Sequence, residues 1–435
     1  MAINNPDLTI PGVVERFLRY VRIDTQSDPT SKTAPSTEKQ KHLAKLLAEE
    51  LKEIGVDDVE MDQYGYVLAT IPGTLRAQSP DEQTVLALLA HMDTAPDESG
   101  ANVRPIVHPP YDGSIIELPG DPTVKLDPGQ QPALLRHRGE HLITSDGTTL
   151  LGSDDKAGIA ILIQFAEDIL QDSTPRPTVR LCFTIDEEIG RGVDHLDLEK
   201  LGASVAYTLD GSGIDTISFE TFNAARAYIK VTGRSVHPGY AKGVLVNAVR
   251  ILAEIISSLP EDEAPETTED REGYYHAHTT SAGDVTASSA QIIVRDFSES
   301  GLLNRKEFVE SLVAKKRQEY PGADISLEIT DQYKNMRSYI EELDIRTVEF
   351  AFEAASDLGI DLEEEIVRGG TDGARLSEKG LPTPNVFNGG YDYHSRFEWN
   401  TVENLEHSLA YTKALVHCWG RHLNSSSEQT GAGIT

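Results

Sequence analysis

Four short apolar runs in this chain each end on a carboxylate or an imidazole, and that repetition limits the folds open to it. TVLALLA precedes His91-Met92-Asp93, VRLCFTI precedes Asp186-Glu187-Glu188, SVAYTL precedes Asp210, and PNVFNGG precedes Tyr391-Asp392-Tyr393-His394. Runs of about four to eight β-rich residues bounded by turn residues predict buried strands of a parallel sheet. In such sheets ligands gather in the crevice beyond the carboxyl ends of the strands. A fifth element, Leu151-Gly152-Ser153-Asp154-Asp155-Lys156, enters a predicted helix instead of leaving a strand.

The intervening segments alternate strand and helix. Residues 12–55 read as helix-rich and amphipathic over Thr37–Ile54, with Ser36 or Thr37 as the cap. YVLATIPG is strand-like, and a charged turn at Ser79–Gln83 leads into the next strand. The Pro- and Gly-rich stretch Pro96–Thr149 has no period, which more often marks a functional insertion than a connector. Helical spacing returns over Asp155–Leu170. This half predicts an α/β layer architecture with a mostly parallel central sheet flanked by helices.

After Asp210 the character changes. ARAYIKVTG, DVTASSAQIIVRDF and DISLEITDQY alternate apolar and polar residues, as half-solvated antiparallel strands do, with helical patterns at Gly243–Leu259 and Arg305–Glu319. The expectation is a smaller α+β domain at 222–336, a four-stranded antiparallel sheet with two helices on one face, inserted into a larger domain formed by 1–221 and 337–425. The α/β pattern resumes through Arg346–Leu358 to a closing helix near Val402–Leu423, and a polar tail at 426–435 reads as flexible.

Composition narrows the function classes. Asp and Glu total 71 against 39 Lys and Arg, a formal charge of −32 that repels phosphate backbones and argues against nucleic-acid binding. No apolar run reaches the roughly 18 residues of a membrane span. The first residues lack a basic segment followed by an apolar core, so secretion is not expected. Cys182 lies in an apolar strand pattern and reads as a small buried hydrophobe; with Cys418 the only other cysteine, no disulfide scaffold is indicated, in keeping with the cytoplasm.

A lone histidine at a strand end is ordinarily structural, and a Glu-Glu pair is ordinarily surface. Here all the members share one type of position. Two carboxylates about 4 Å apart repel by roughly 4 kcal/mol at an effective dielectric of 20. Several such pairs rival the ~5–15 kcal/mol stability of a typical domain. Cations or protons must therefore occupy the cluster. Mixed imidazole and carboxylate ligands suit zinc, or manganese or cobalt, better than calcium. Three carboxylates and two imidazoles suffice for two divalent ions with one carboxylate bridging, and spacing alone leaves Asp154 and Asp155 as rivals for the bridge.

His91-Met92-Asp93-Thr94, Gly152-Ser153-Asp154-Asp155-Lys156-Ala157-Gly158, Asp186-Glu187-Glu188-Ile189-Gly190, Asp210-Gly211 and Gly390-Tyr391-Asp392-Tyr393-His394 together resemble the dinuclear zinc peptidases of the aminoacylase and glutamate carboxypeptidase clan. HMDTAPDESG, ITSDGTTLLGSDDKAG, SVHPGYAKGVLVNA, EGYYH and VRDF place the resemblance closest to its tripeptide-aminopeptidase branch, peptidase T, over about Arg16 to Leu423. The resemblance implies a metal-dependent aminopeptidase acting on tripeptides, with two Zn2+ per subunit and Mn2+ or Co2+ as possible substitutes. The alternative within the clan is an amidohydrolase or carboxypeptidase acting on N-acyl amino acids or dipeptides.

By matching position the resemblance implies His91, Asp154, Glu188, Asp210 and His394 as metal ligands, with Asp154 bridging. It makes Asp93 the residue that orients the His91 ring and Glu187 the general base. His237, in Val236-His237-Pro238-Gly239, would stabilise the oxyanion, supplied by a partner subunit in one version. Arg295, Asn335 and Arg368 are candidates for gripping the ends of the peptide. Small peptides are the expected partners, and homodimerisation through the inserted domain follows from the resemblance.

Overall fold

In the computed structural model, residues 10–56, 58–75 and 84–431 are described; the turn Ser79–Gln83 and the last four residues of the tail lie outside them. Strands Val85–His91, Thr178–Thr184 and Val205–Gly211 are buried along most of their length, because side chains on both pleated faces meet protein. They lie in an eight-stranded sheet of spatial order Val59–Met61, Val67–Ile71, Thr178–Thr184, Val85–His91, Val205–Gly211, Asn385–Phe387, Thr216–Thr221, Glu363–Val367. The middle four strands are parallel. Val67–Ile71 and Val59–Met61 run antiparallel on one side, and Thr216–Thr221 runs antiparallel to Asn385–Phe387 on the other.

Parallel neighbours need crossover connections, and the helix Ser153–Leu170 is the central one. It is apolar nearly all round and correspondingly buried, packed on Val85–His91 and Val205–Gly211 and against helices Gly12–Tyr20, Gln40–Ile54 and Val402–Gly431. The stretch Pro96–Thr149 holds short strands at Ile106–Val107, Ile116–Glu117, Lys125–Leu126 and Leu142–Thr144. Pieces of two or three residues are too short to show a period. Tyr111, Leu126, Leu134, Leu142 and Trp399 give this stretch its own small core.

A second compact unit comprises Glu220–Ser338 and Ile366–Gly370. Its antiparallel sheet runs Tyr274–Asp284, Ala287–Asp296, Asn223–Thr232, Asp324–Tyr333. Ala225, Ala227, Ile229 and Val231 alternate onto one face, where Ile251, Leu252 and Ile255 of helix Ala248–Ile256 and Val309 and Val313 of helix Glu299–Glu319 close the core. Asn247 and Ser298 cap these helices by accepting from Arg250 N and Gly301 N.

Several local expectations are corrected. The fourth strand, Tyr274–Asp284, shows no clear alternation because much of its outer half is exposed and needs no apolar face. The helix expected from Thr37 begins at Gln40, since the hydroxyls of Ser36 and Thr37 bond elsewhere, to Asp186 Oδ1 and Gln26 O. The closing helix runs past Leu423 to Gly431, into the segment read as a flexible tail. Residues 366–370, grouped above with the larger domain, belong to the second unit, where Arg368 donates to the carbonyls of Asp270 and Glu272.

Two strands meet closely beside Asp210. A β-carbon on Gly211 would stand 2.9 Å from the carbonyl carbon and oxygen of Val386 and 3.0 Å from Phe387 N, with no flexible side chain to give way. Gly211→Ala is therefore expected to push the strands apart and cost about 1–3 kcal/mol. Urea denaturation at equilibrium checks this; an unchanged midpoint would show that the strands tolerate the methyl group.

Candidate metal centre

The carboxyl ends of the four parallel strands deliver the acids and histidines. His91 closes the strand Val85–His91 and Asp210 stands at the end of Val205–Gly211. After Thr178–Thr184 the backbone turns sharply: Asp186 is left-handed at φ 53°, Glu187–Ile189 form one 3-10 turn, and Gly190 is left-handed again at φ 69°. That turn lets Glu187 and Glu188 act near one point, where a continued strand would send them to opposite faces. The buried Asp186 carboxylate secures it by accepting from Ser36 N at 2.7 Å, Ser36 Oγ at 2.5 Å and Gln40 Nε2 at 2.6 Å.

Asp154 lies at the centre. Its Oδ1 is 2.8 Å from His91 Nε2 and its Oδ2 is 3.2 Å from His394 Nε2, so one carboxylate faces two imidazoles through different oxygens. Each imidazole has a second acid: Asp210 Oδ1 at 3.4 Å from His91 Nε2, and Glu188 Oε2 at 2.8 Å from His394 Nε2. Ligand atoms of His91, Asp154 and Glu188 all lie within 4.8 Å of one another, as do those of His91, Glu187 and Asp210. Asp155, the rival by spacing, is turned away. Its Oδ2 accepts from His91 N at 3.1 Å, and its Oδ1 from Gly158 N at 3.1 Å and Asn388 Nδ2 at 2.9 Å.

Asp93 does more than orient a ring. Its oxygens accept from Glu187 N at 3.0 Å and Glu188 N at 3.2 Å, while His91 Nδ1 is 3.4 Å from Asp93 Oδ1 and 3.1 Å from the Asp93 carbonyl. A second anchor, Glu398, was not singled out from the sequence. Buried, it accepts from Leu151 N and Gly152 N at 2.8 and 2.7 Å and from Asp154 N at 3.0 Å, so it holds the loop that presents Asp154. A separation of 244 residues hides that contact from any local pattern.

The remaining sequence candidates lie in the second unit. Asn335 is spent on backbone bonds, accepting from Thr221 N and Arg337 N and donating to Phe297 O. Arg295 donates to the carbonyls of Ala225 and Val294 beneath the Tyr333 ring, and Arg368 stacks over Phe222 and Tyr274. His237 is exposed, and its Nδ1 accepts from Gly239 N.

The electrostatics are those of a site that wants positive charge. Burial, then repulsion from Asp210, raises Glu187 and Asp155 well above the carboxylate range; burial and Asp154 push Glu188 up to about 8. Burial lifts Asp210 to about 6, and Asp372 and Glu398 to about 7. Asp154 is the exception: hydrogen bonds with His394 and His91 outweigh its burial and hold it below the usual range. The bonds to Asp154 and Glu188 raise His394 to about 11. Glu188 Oε1 is buried with no hydrogen-bond partner, a costly state for a carboxylate oxygen unless a cation or proton meets it.

Comparison with known proteins identifies the family. A family model described as a peptidase dimerisation domain matches residues 219–324. The chain is 45% identical over 394 residues to peptidase T of Geobacillus kaustophilus, covering 90% of this chain and 94% of that protein. This chain belongs to the peptidase T family. The crystal structure of the aminopeptidase PepT of Bacillus cereus shares the fold at a TM-score of 0.72 and 22% identity, covering 94% of this chain and 99% of the other. A tripeptidase of Staphylococcus aureus does so at 0.73 and 21%, covering 95% and 99%.

The raised acids fix a pH dependence. Without metal, Glu188, Asp210, Asp372 and Glu398 titrate above the ordinary values of 3.8 and 4.5, so the folded protein binds more protons than the unfolded chain. Their contribution to stability is full below about pH 4, and is lost as pH rises through about 6 to 8. The thermal midpoint of chelator-treated protein is expected to fall from about pH 5 to 8, and divalent cations should flatten the slope. A midpoint that climbs across this window would be incompatible with a proton-filled cluster.

Proposed function

We propose that this protein is a metal-dependent aminopeptidase that hydrolyses the N-terminal peptide bond of tripeptides, with two zinc ions held by His91, Asp154, Glu188, Asp210 and His394. The position of Asp154 between two imidazoles, each with its own second acid, carries this reading. His91 and Asp210 would hold one ion and Glu188 and His394 the other, with the Asp154 carboxylate shared between them. The unpartnered Glu188 Oε1 fits a ligand atom that awaits its cation. Imidazole mixed with carboxylate suits zinc, with manganese or cobalt as substitutes.

When bound, the ions supply Lewis-acid polarisation of the scissile carbonyl and make water acidic near neutrality. The chain's own groups handle the protons and the positioning. Glu187 takes a proton from the attacking water at its carboxylate and delivers it to the leaving nitrogen. Its burial raises its pKa, the direction a proton acceptor working near neutral pH needs. Asp93 keeps base and ligands in register by holding the N–H groups of both Glu187 and Glu188. Since His237 Nδ1 accepts from Gly239 N, the ring proton sits on Nε2, ready to donate to an oxyanion, from the same chain or a second copy. Arg295, Asn335 and Arg368, committed to backbone and ring contacts, support the peptide-binding region by shaping it.

Catalysis would belong to the larger domain and homodimerisation to the inserted one, whose compact unit comprises Glu220–Ser338 with Ile366–Gly370. The match to a peptidase dimerisation domain supports the second role. Among the described residues no helix is long and apolar enough to cross a membrane, in keeping with peptide breakdown in the cytoplasm.

Release of the first residue from a free-amine tripeptide, measured beside its N-acetylated form, tests the substrate class. The free peptide is expected to be the better substrate, and preference for the blocked one would turn the reading to an amidohydrolase. Glu187→Gln is expected to retain both metals by elemental analysis while kcat falls about 100- to 10,000-fold. Normal turnover by that variant would remove Glu187 from the proton path.

A further inference from the structure

Three side chains from two packed helices, none of them in the strand-end cluster, converge on one point. Cys418 and His422 stand one turn apart on helix Val402–Gly431, and Glu353 faces them from helix Arg346–Asp357. The thiol sulfur, an imidazole nitrogen and a carboxylate oxygen lie within 4.8 Å of one another. We propose that Glu353, Cys418 and His422 form a further metal site that takes Zn2+, separate from the catalytic centre.

The spacing favours it. Residues four apart on a helix project from one face, so Cys418 and His422 present sulfur and nitrogen to the same neighbour. His422 Nε2 already stands 2.8 Å from Glu353 Oε2. A proton thus occupies the place between these two groups that a cation would take. On binding, the Cys418 thiol proton is released to solvent and the sulfur–metal bond forms in its stead.

The surroundings hold the donors in place. Phe350 stacks on the His422 ring at 4.1 Å and 12°, which fixes the ring plane. Arg421 Nη2 binds the other oxygen of Glu353, Oε1, at 3.1 Å, and also pairs with Asp357, so the carboxylate is oriented with Oε2 left towards His422. One thiolate and one carboxylate neutralise a divalent ion. Sulfur with nitrogen selects zinc over magnesium or calcium. Cys418 is buried while Glu353 and His422 are each 42% exposed, so the site opens to water for a fourth ligand.

Cobalt substitution of the full-length protein tests this, because a cysteine thiolate bound to Co2+ gives a near-ultraviolet absorption that imidazole and carboxylate ligands do not. Wild type is expected to show that band, and Cys418→Ser to lose it. His422→Ala should weaken it, and Cys182→Ser should keep it. After zinc loading and dialysis, wild type should retain one zinc equivalent more than Cys418→Ser, with equal tripeptide turnover. No band in wild type, or equal zinc in the two proteins, overturns the site. Failure of the catalytic reading would look different, as metal and activity lost alike from wild type and Cys418→Ser.

Discussion

Buried like charge is the constraint around which the larger domain is organised. Asp154, Glu187, Glu188 and Asp210 all sit where water is scarce, and each raises the cost of ionising another. His91 and His394 reduce that cost by standing among them, and Asp154 shows the result, with its pKa pulled down although it is buried. The surrounding structure exists largely to keep these groups from escaping one another. Glu398 clamps the Asp154 loop, Asp93 clamps the Glu187–Glu188 turn, and Asp186 anchors that turn to Ser36 and Gln40. Anchors made of carboxylates on backbone N–H groups are rigid, since each N–H is otherwise an unpaired buried donor.

Much of this could be read before any coordinates. The apolar runs ending at His91, Asp186, Asp210 and Tyr391 marked the strand ends, because buried parallel strands carry continuous apolar sequence that stops where the crevice begins. The tight turn at Glu187 followed from two adjacent acids that had to share a target. Three strands and the two helices of the second unit were visible in alternation and helical spacing. The choice of Asp154 over Asp155 was not open to spacing. It depends on which carboxylate is taken up by His91 N, Gly158 N and Asn388, contacts made through the folded core.

What stayed hidden has a common cause. Glu398, Asp186 with Ser36, and the return of 366–370 to the second unit are all long-range pairings with no local periodicity. The edge strand Tyr274–Asp284 escaped because much of its outer half faces solvent and needs no apolar face. Arg295 and Asn335 carry a different kind of signal. Charged and amide side chains in a distinctive motif drew a substrate role, while in the fold their hydrogen bonds go to carbonyls and backbone N–H groups.

The five-residue strip 366–370 has a consequence for how this polypeptide can be taken apart. Because it completes a unit otherwise made of Glu220–Ser338, the chain crosses between units at four peptide linkages, not two. No uninterrupted gene fragment encodes the smaller unit alone. A clone ending at Ser338 would omit the guanidinium that ties Thr268, Asp270 and Glu272 together, and would uncover the aromatic faces of Phe222 and Tyr274. Grafting or circular permutation would have to carry both pieces.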